Sequence, residues 1–207
     1  MVLAMAILAL IGLAIAGVAF ALTGAYSNSQ DYYQCLQTSR ITSMRIQADL
    51  RKAKLIASAS SDSLVLWDGD VNGDGNINLS EIVILDWNSS AKQLWDERVV
   101  YPASMDAATK AALDISVPLS TLTDVAGAKT YLRARQYYQC TTLATGVTSM
   151  QFAVTPAAPL SVMATGHMTI TEGRKSLSMS LSASLRADST EDVDDDDGVY
   201  TLVTDEN

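Results

Sequence analysis

The sequence predicts an α+β protein: one long N-terminal helix whose second half packs on a head built from antiparallel strands. Three observations carry this. No charged residue occurs before Asp31, and the stretch 1–22 is apolar throughout. No proline interrupts the chain up to about residue 60. Near the other end, 176–186 alternates apolar and polar residues, the period-two signature of a sheet with one dry and one wet face.

The stretch 1–22 reads MVLAMAILALIGLAIAGVAFAL, broken only by Gly12 and Gly17. As a helix it spans ~33 Å, enough to cross a bilayer's hydrocarbon core. The helix is expected to run on to about residue 58, apolar all round over 1–24 and amphipathic over 25–58. Ile41, Met44, Ala48 and Leu55 form the expected head-facing stripe. Arg40, Arg45, Asp49, Arg51, Lys52 and Lys54 occupy much of the remaining surface, and the last three cations suit the C-terminal end of the helix dipole.

The head is expected over 59–187. A short strand is read at 63–68, a turn-rich loop after it, and strands at 81–87 and 93–100 joined through Asn88, Ser89 and Ser90. Residues 103–113 read as a short helix after Pro102, and 119–127 as a further helical turn. Strands are read at 130–143, 148–155 and 167–171. In 176–186, Leu177, Met179, Leu181, Ala183 and Leu185 alternate with Ser178, Ser180, Ser182, Ser184 and Arg186, so the dry face needs a cover that the amphipathic half of the helix supplies. The tail 188–207 is strongly acidic, and a run of like charge reads as solvated chain; VYTLV within it has the composition of an edge strand.

The 207 residues carry a net charge of −9. That balance argues against nucleic acid as a partner, because phosphate binding needs clustered Lys and Arg. Cys35 and Cys140 belong to no CxxC pattern. For a head outside the cytoplasm one Cys35–Cys140 disulfide is the simple expectation; two buried free thiols are the alternative. His167 is the only histidine and sits in an expected strand. There is no glycine-rich phosphate loop, no GxSxG and no HExxH, so no enzyme activity is expected. Asn88-Ser89-Ser90 matches the N-glycosylation pattern.

Residues 70–81, DVNGDGNINLSE, match the twelve-residue calcium loop position by position. Asp70, Asn72 and Asp74 stand at positions one, three and five, with Gly75 at the sharp turn. Asn76 offers its backbone carbonyl at seven, Ile77 points inward at eight, Asn78 stands at nine and Glu81 at twelve. Calcium takes six to eight oxygens in flexible geometry, which short Asp and Asn side chains around a tight turn supply. Strands are expected on both flanks in place of the EF-hand's helices, which favours a structural ion over a sensor.

With its apolar helix leading into an antiparallel head, the chain resembles the type IV pilins and type II secretion pseudopilins. The resemblance implies a structural subunit that polymerises into an extracellular filament, anchored in the inner membrane before assembly. In that family a prepilin peptidase removes a basic leader, and the absence of Lys or Arg before Arg40 fits a mature chain starting at Met1. Met1, Met5, Leu8, Leu10, Ile11, Leu13, Ile15, Val18 and Phe20 are then the assembly residues of a homopolymer built with a dedicated pilus machinery. The family's usual Glu at mature position five is Met5 here, which leaves apolar packing, at about 1.5–3 kcal/mol per buried Leu or Ile, to hold the filament core. The alternatives are a minor pseudopilin, a single-span membrane-anchored calcium-binding surface domain and, last, an anchored enzyme.

Overall fold

The computed structural model describes residues 2–185, 193–196 and 199–202. Helix α1 is continuous over Val2–Lys52, ~77 Å at 1.5 Å per residue, and passes through Gly12 and Gly17 without a break. Antiparallel sheets follow it, so the α+β layout of a long apolar helix leading into an antiparallel head is the architecture of the molecule.

The first sheet contains β1 (Leu55–Ala59), β2 (Ser63–Trp67), β3 (Ile82–Asn88), β4 (Gln93–Val99) and β5 (Tyr138–Thr145), paired in sequence order as an antiparallel meander. The second contains β6 (Val147–Thr155), β7 (Met163–Glu172) and β8 (Lys175–Ser184), again in sequence order. Helices α2 (Ala107–Leu113), α3 (Leu119–Leu122) and α4 (Val125–Arg133) lie between β4 and β5. Two short strands near the C-terminus, β9 (Val193–Asp196) and β10 (Val199–Leu202), pair with each other alone among the described residues.

The first sheet divides two cores. On one side Ile46 and Leu50 of α1, with Ala53 just beyond its end, meet Leu64, Leu66, Val83, Leu85 and Leu94 of the sheet and the dry face of the second sheet. On the other, Leu55, Val65, Trp67 and Ile84 meet Val117, Leu119, Leu122, Ala128 and Leu132 from the α3–α4 side. A sheet covered on both faces demands unbroken apolar runs, which is why β2 reads SLVLW and β3 begins IVIL. The second sheet is covered on one face only, and its sequence alternates accordingly. Gly166 belongs to that packing: a Cβ there would stand 3.1 Å from the Leu181 side chain.

Several expectations are corrected. The helix ends at Lys52 instead of 58. The Ala53 N–H still bonds back to the Asp49 carbonyl at 2.9 Å, but the Lys54 N–H turns to Trp67 O at 2.8 Å and leads the chain into β1. Burial of Leu55, Ile56 and Ala57 in the sheet outweighs the helical propensity of this Ala-rich stretch. The head-facing stripe is Cys35, Ser39, Thr42, Ile46 and Leu50, all fully buried, while Ile41 and Met44 point outward. The expected strand 130–143 begins only at Tyr138. Before it, Asp124 caps α4 by accepting the N–H groups of Ala126 and Gly127, and Ala128 and Leu132 bury at helical spacing. The tail segment Val199–Leu202 is a hairpin arm lying over the second core, not an edge strand of a main sheet. Apart from this arm and its partner Val193–Asp196, the acidic tail lies outside the described residues.

Candidate functional site

Two parts of the molecule answer to the sequence motifs: the free half of α1 and the β2–β3 connection.

The most apolar stretch of α1 is long enough to cross a membrane, and none of it is buried against the head. Met5, Leu8, Leu10, Ile11, Leu13, Ile15, Val18 and Phe20 are all exposed, from 50% at Ile11 to 84% at Phe20. Met1 lies outside the described residues. The second half of the same helix is held on β7 and β8. Gln47 donates its side-chain N–H to Ser182 O at 3.2 Å, and the Arg174 N–H in the β7–β8 turn donates to Asp31 Oδ2 at 3.4 Å. Gly173 in that turn has φ +54°, and any side chain there would overlap the Asp31 carboxylate. An apolar rod is thus carried on a head that buries none of it.

The cysteines do not form the expected disulfide. Both are free thiols, Cys35 buried and Cys140 exposed. Cys35 faces the second sheet, with Sγ 3.5 Å from Lys175 O and 3.8 Å from Ile170 O. Cys140 sits on β5 of the first sheet, opposite Glu97. Helix and head are pinned by packing instead.

The calcium-type loop is the connection between Trp67 and Ile82, which pair directly across β2 and β3. Its flanks are a strand on one side and a single 3-10 turn, Leu79–Glu81, leading into β3 on the other. Gly73 and Gly75 have φ +74° and +73°, a region open to glycine at no steric cost. Asp70 Oδ1 accepts the N–H groups of Gly73 and Asp74, and Oδ2 that of Gly75. Asp74 Oδ2 receives the side-chain amides of Asn72 at 2.8 Å and Asn78 at 3.0 Å, and its Oδ1 accepts the Asn76 N–H at 2.8 Å. The Asn78 amide, then the Asn76 N–H and the Asn72 amide, hold the Asp74 carboxyl below the usual carboxylate range. Ile77 is buried in the second core.

Glu81 behaves differently from its loop partners. It is 2% exposed. Oε1 accepts the Val71 N–H at 2.7 Å, while Oε2 accepts Trp67 Nε1–H and the Asn78 N–H, each at 3.1 Å. A carboxylate offers about four lone-pair sites, so one remains, on Oε1. Among the described residues no three His, Cys, Asp or Glu side chains gather into a metal-binding group. The candidate ligand set is made largely of Asn side chains and a backbone carbonyl around two aspartates.

Two ionic clusters lie outside the sequence motifs. Lys129 and Arg133, one turn apart on α4, reach Asp86 at 2.7 and 2.9 Å, and Arg133 also pairs with the buried Glu97. Ser63 donates to Asp86 at 2.7 Å. Burial pushes the Asp86 carboxyl up, but hydrogen bonds from Lys129 and Ser63 and the charges of Lys129 and Arg133 leave it below the ordinary value. The i, i+4 cations and the acids inside two strands are the sequence signal for this cluster. In the second cluster Asp49 of α1 stands 3.9 Å from Arg98, which also binds Asp96. Burial raises Asp49 to about 6, with Arg98 opposing and Asp96 and Asp68 adding to the rise. His167 lies exposed on the wet face of the second sheet, its Nδ1 2.8 Å from Ser180 Oγ.

A comparison with known protein families finds none whose model matches this chain, and a comparison with curated proteins finds no similar sequence.

Proposed function

We propose that the chain is a filament subunit of the type IV pilin kind, held in the inner membrane by residues 2–24 and assembled into an extracellular homopolymer through them. The observation that carries this reading is the pairing within one unbroken helix of a wholly exposed apolar half and a half packed on the head. Water does not tolerate so large an apolar surface. A lipid bilayer covers it before assembly, and neighbouring helices cover it in a polymer. Repetition of one head-to-tail contact makes an open helical assembly, with no covalent link required. No charged side chain stands in this stretch before Asp31, so the core of this polymer rests on apolar packing. Processing by a prepilin peptidase and export by a pilus machinery belong to the same reading.

Calcium belongs to it as a brace for the 68–81 connection. Asp70, Asn72, Asp74 and Asn78 with the Asn76 carbonyl would hold the ion, and Glu81 would add one oxygen through its open Oε1 lone pair. The ion would supply positive charge for Asp70 and Asp74 and would displace the two amides now on Asp74. Monodentate ligation by Glu81 suits the weak sites of extracellular modules.

Electron microscopy of purified material tests the filament. Polymers with the α1 helices gathered at the axis are expected, and Leu13→Asp with Phe20→Asp should abolish them. A second reading, a single-span anchor for a monomeric surface domain, rests on the same membrane-length helix. It predicts lone α1 helices in lipid and no polymer under any condition.

A further inference from the structure

The sequence holds two triplets of the Asn-x-Ser form that N-linked sugar transfer requires, Asn78-Leu79-Ser80 and Asn88-Ser89-Ser90, and proline stands in neither. The fold treats them oppositely. Asn78 is 3% exposed. Its side-chain amide donates to Asp74 Oδ2 and its backbone N–H to Glu81 Oε2. Leu79 is buried in the second core. Ser80 donates its hydroxyl to Asp114 at 2.6 Å. Every residue of that triplet is committed to the folded 68–81 connection.

Asn88-Ser89-Ser90 is the reverse case. Asn88 ends β3 and pairs with Gln93 at the start of β4. Residues 89–92 between them form a hairpin tip, all four exposed, and Lys92 turns the chain back with φ +52°. Asn88 Oδ1 accepts the Ala91 N–H at 2.8 Å. That bond fixes the amide by its oxygen, while Nδ2 has no acceptor among the described residues. Ser90 Oγ is equally unengaged among them. Exposed loop tips open at little cost. Here one terminal rung of the β3–β4 ladder and one turn bond are all that must break for the triplet to enter an enzyme's groove. The buried triplet would reach such a groove only by unfolding the second core.

We propose that Asn88 is an N-glycosylation site and that Asn78, which has the same pattern, is not. This rests on the outward-facing head that both readings above share, and it goes beyond them in assigning a covalent modification. The donor is a sugar or oligosaccharide carried on a membrane lipid through phosphate or pyrophosphate. Asn88 Nδ2 forms the new bond to the anomeric carbon, and the bond from that carbon to the phosphate oxygen breaks. The lipid phosphate leaves with the bonding pair, Nδ2 gives up one proton to a base of the transferase, and nothing is oxidised or reduced. The hydroxyl that such an enzyme reads two residues after the asparagine is that of Ser90. The product places a bulky, solubilising group on the hairpin tip.

The test purifies the full chain from its own cells as wild type, Asn88→Gln, Ser90→Ala and Ser90→Thr, and reads its peptides by tandem mass spectrometry. The wild-type peptide bearing residues 88–90 should carry a glycan mass, release sugar ions on fragmentation and keep the attachment at Asn88. The peptide bearing Asn78 should have its sequence mass. Asn88→Gln and Ser90→Ala should lose the increment, and Ser90→Thr should keep it. Ser90→Ala leaves the Asn88 amide in place, so its loss of sugar at an unchanged melting temperature reports recognition of the hydroxyl and not a damaged fold. Wild-type filaments whose Asn88 peptide has only its sequence mass would overturn this inference and leave the filament standing. Sugar on Asn78, or on the Ser89 or Ser90 hydroxyl in place of Asn88, would overturn it as well. Chain that is glycosylated at Asn88 yet never polymerises would support the site and remove the filament in favour of the lone anchor. Unmodified chain that never polymerises would remove both.

Discussion

Trp67 donates its indole N–H to Glu81 Oε2 at 3.1 Å, with both side chains buried at the mouth of the 68–81 connection. The same carboxylate holds the backbone N–H groups of Val71 and Asn78. A strand end, a loop start and a loop end are thereby tied to one side chain. Removing it strands three donors, two of them on the backbone. Glu81→Ala is expected to destabilise the head by about 3 kcal/mol, the scale of a buried charged acceptor lost with its partners left unmade. Chemical denaturation measures it; a loss under about 1 kcal/mol would deny Glu81 this bracing role.

Calcium should act on the neighbouring carboxylates. Added calcium is expected to raise the melting temperature of the head, chelator to lower it, and Asp70→Ala with Asp74→Ala to make the head indifferent to both. Calorimetric titration that registers no uptake would remove the ion and leave Glu81 as a metal-free brace.

The Asp86 cluster predicts acid sensitivity of a definite sign. Its folded carboxyl lies below the ordinary 3.8 despite burial, through Lys129, Ser63 and Arg133. The contribution is complete above the unfolded value and is lost as pH falls through the lower folded value. Asp86→Asn should destabilise at pH 7 and flatten this acid limb. An acid limb identical to wild type would place the sensitivity elsewhere.

Asp49 works in the other direction. Burial raises it to about 6 in the folded chain, against 3.8 as the ordinary value. Between those values the folded state holds a proton that the unfolded state has released, so stability declines as pH rises from about 4 to 6. Asp49→Asn should remove the decline and leave the head more stable than wild type at pH 7. If the variant is less stable there, the Arg98 contact outweighs the burial of charge.

The thiols should differ in access. Cys140 is expected to take up maleimide in the native state, faster as pH rises because partial burial keeps its pKa above the ordinary thiol value. Cys35 should react only after unfolding. Unchanged electrophoretic mobility on reduction is expected, and a reducible Cys35–Cys140 species would refute the arrangement.

Much of the fold can be read from residues alone, because it depends on local period and chemistry. The uncharged apolar stretch fixes a free helix, and the strict alternation of 176–186 fixes a half-wet strand. The Asp/Asn/Gly spacing of 70–81 is a backbone instruction: glycines stand where φ is positive, and short carboxylates stand where N–H groups need acceptors. Tertiary structure decided the rest. Nothing local ends α1 at Lys52, since no Gly or Pro stands there; the burial of Leu55, Ile56 and Ala57 between two cores does. Nor does local periodicity tell which side of an amphipathic helix meets the head. Cys35, Ser39 and Thr42 are small enough to let β7 and β8 approach closely, and that shape, not hydrophobicity, turned Ile41 and Met44 outward. The role of Glu81, like the separation of the two thiols, follows from which strands become neighbours, and strand pairing is a property of the folded whole.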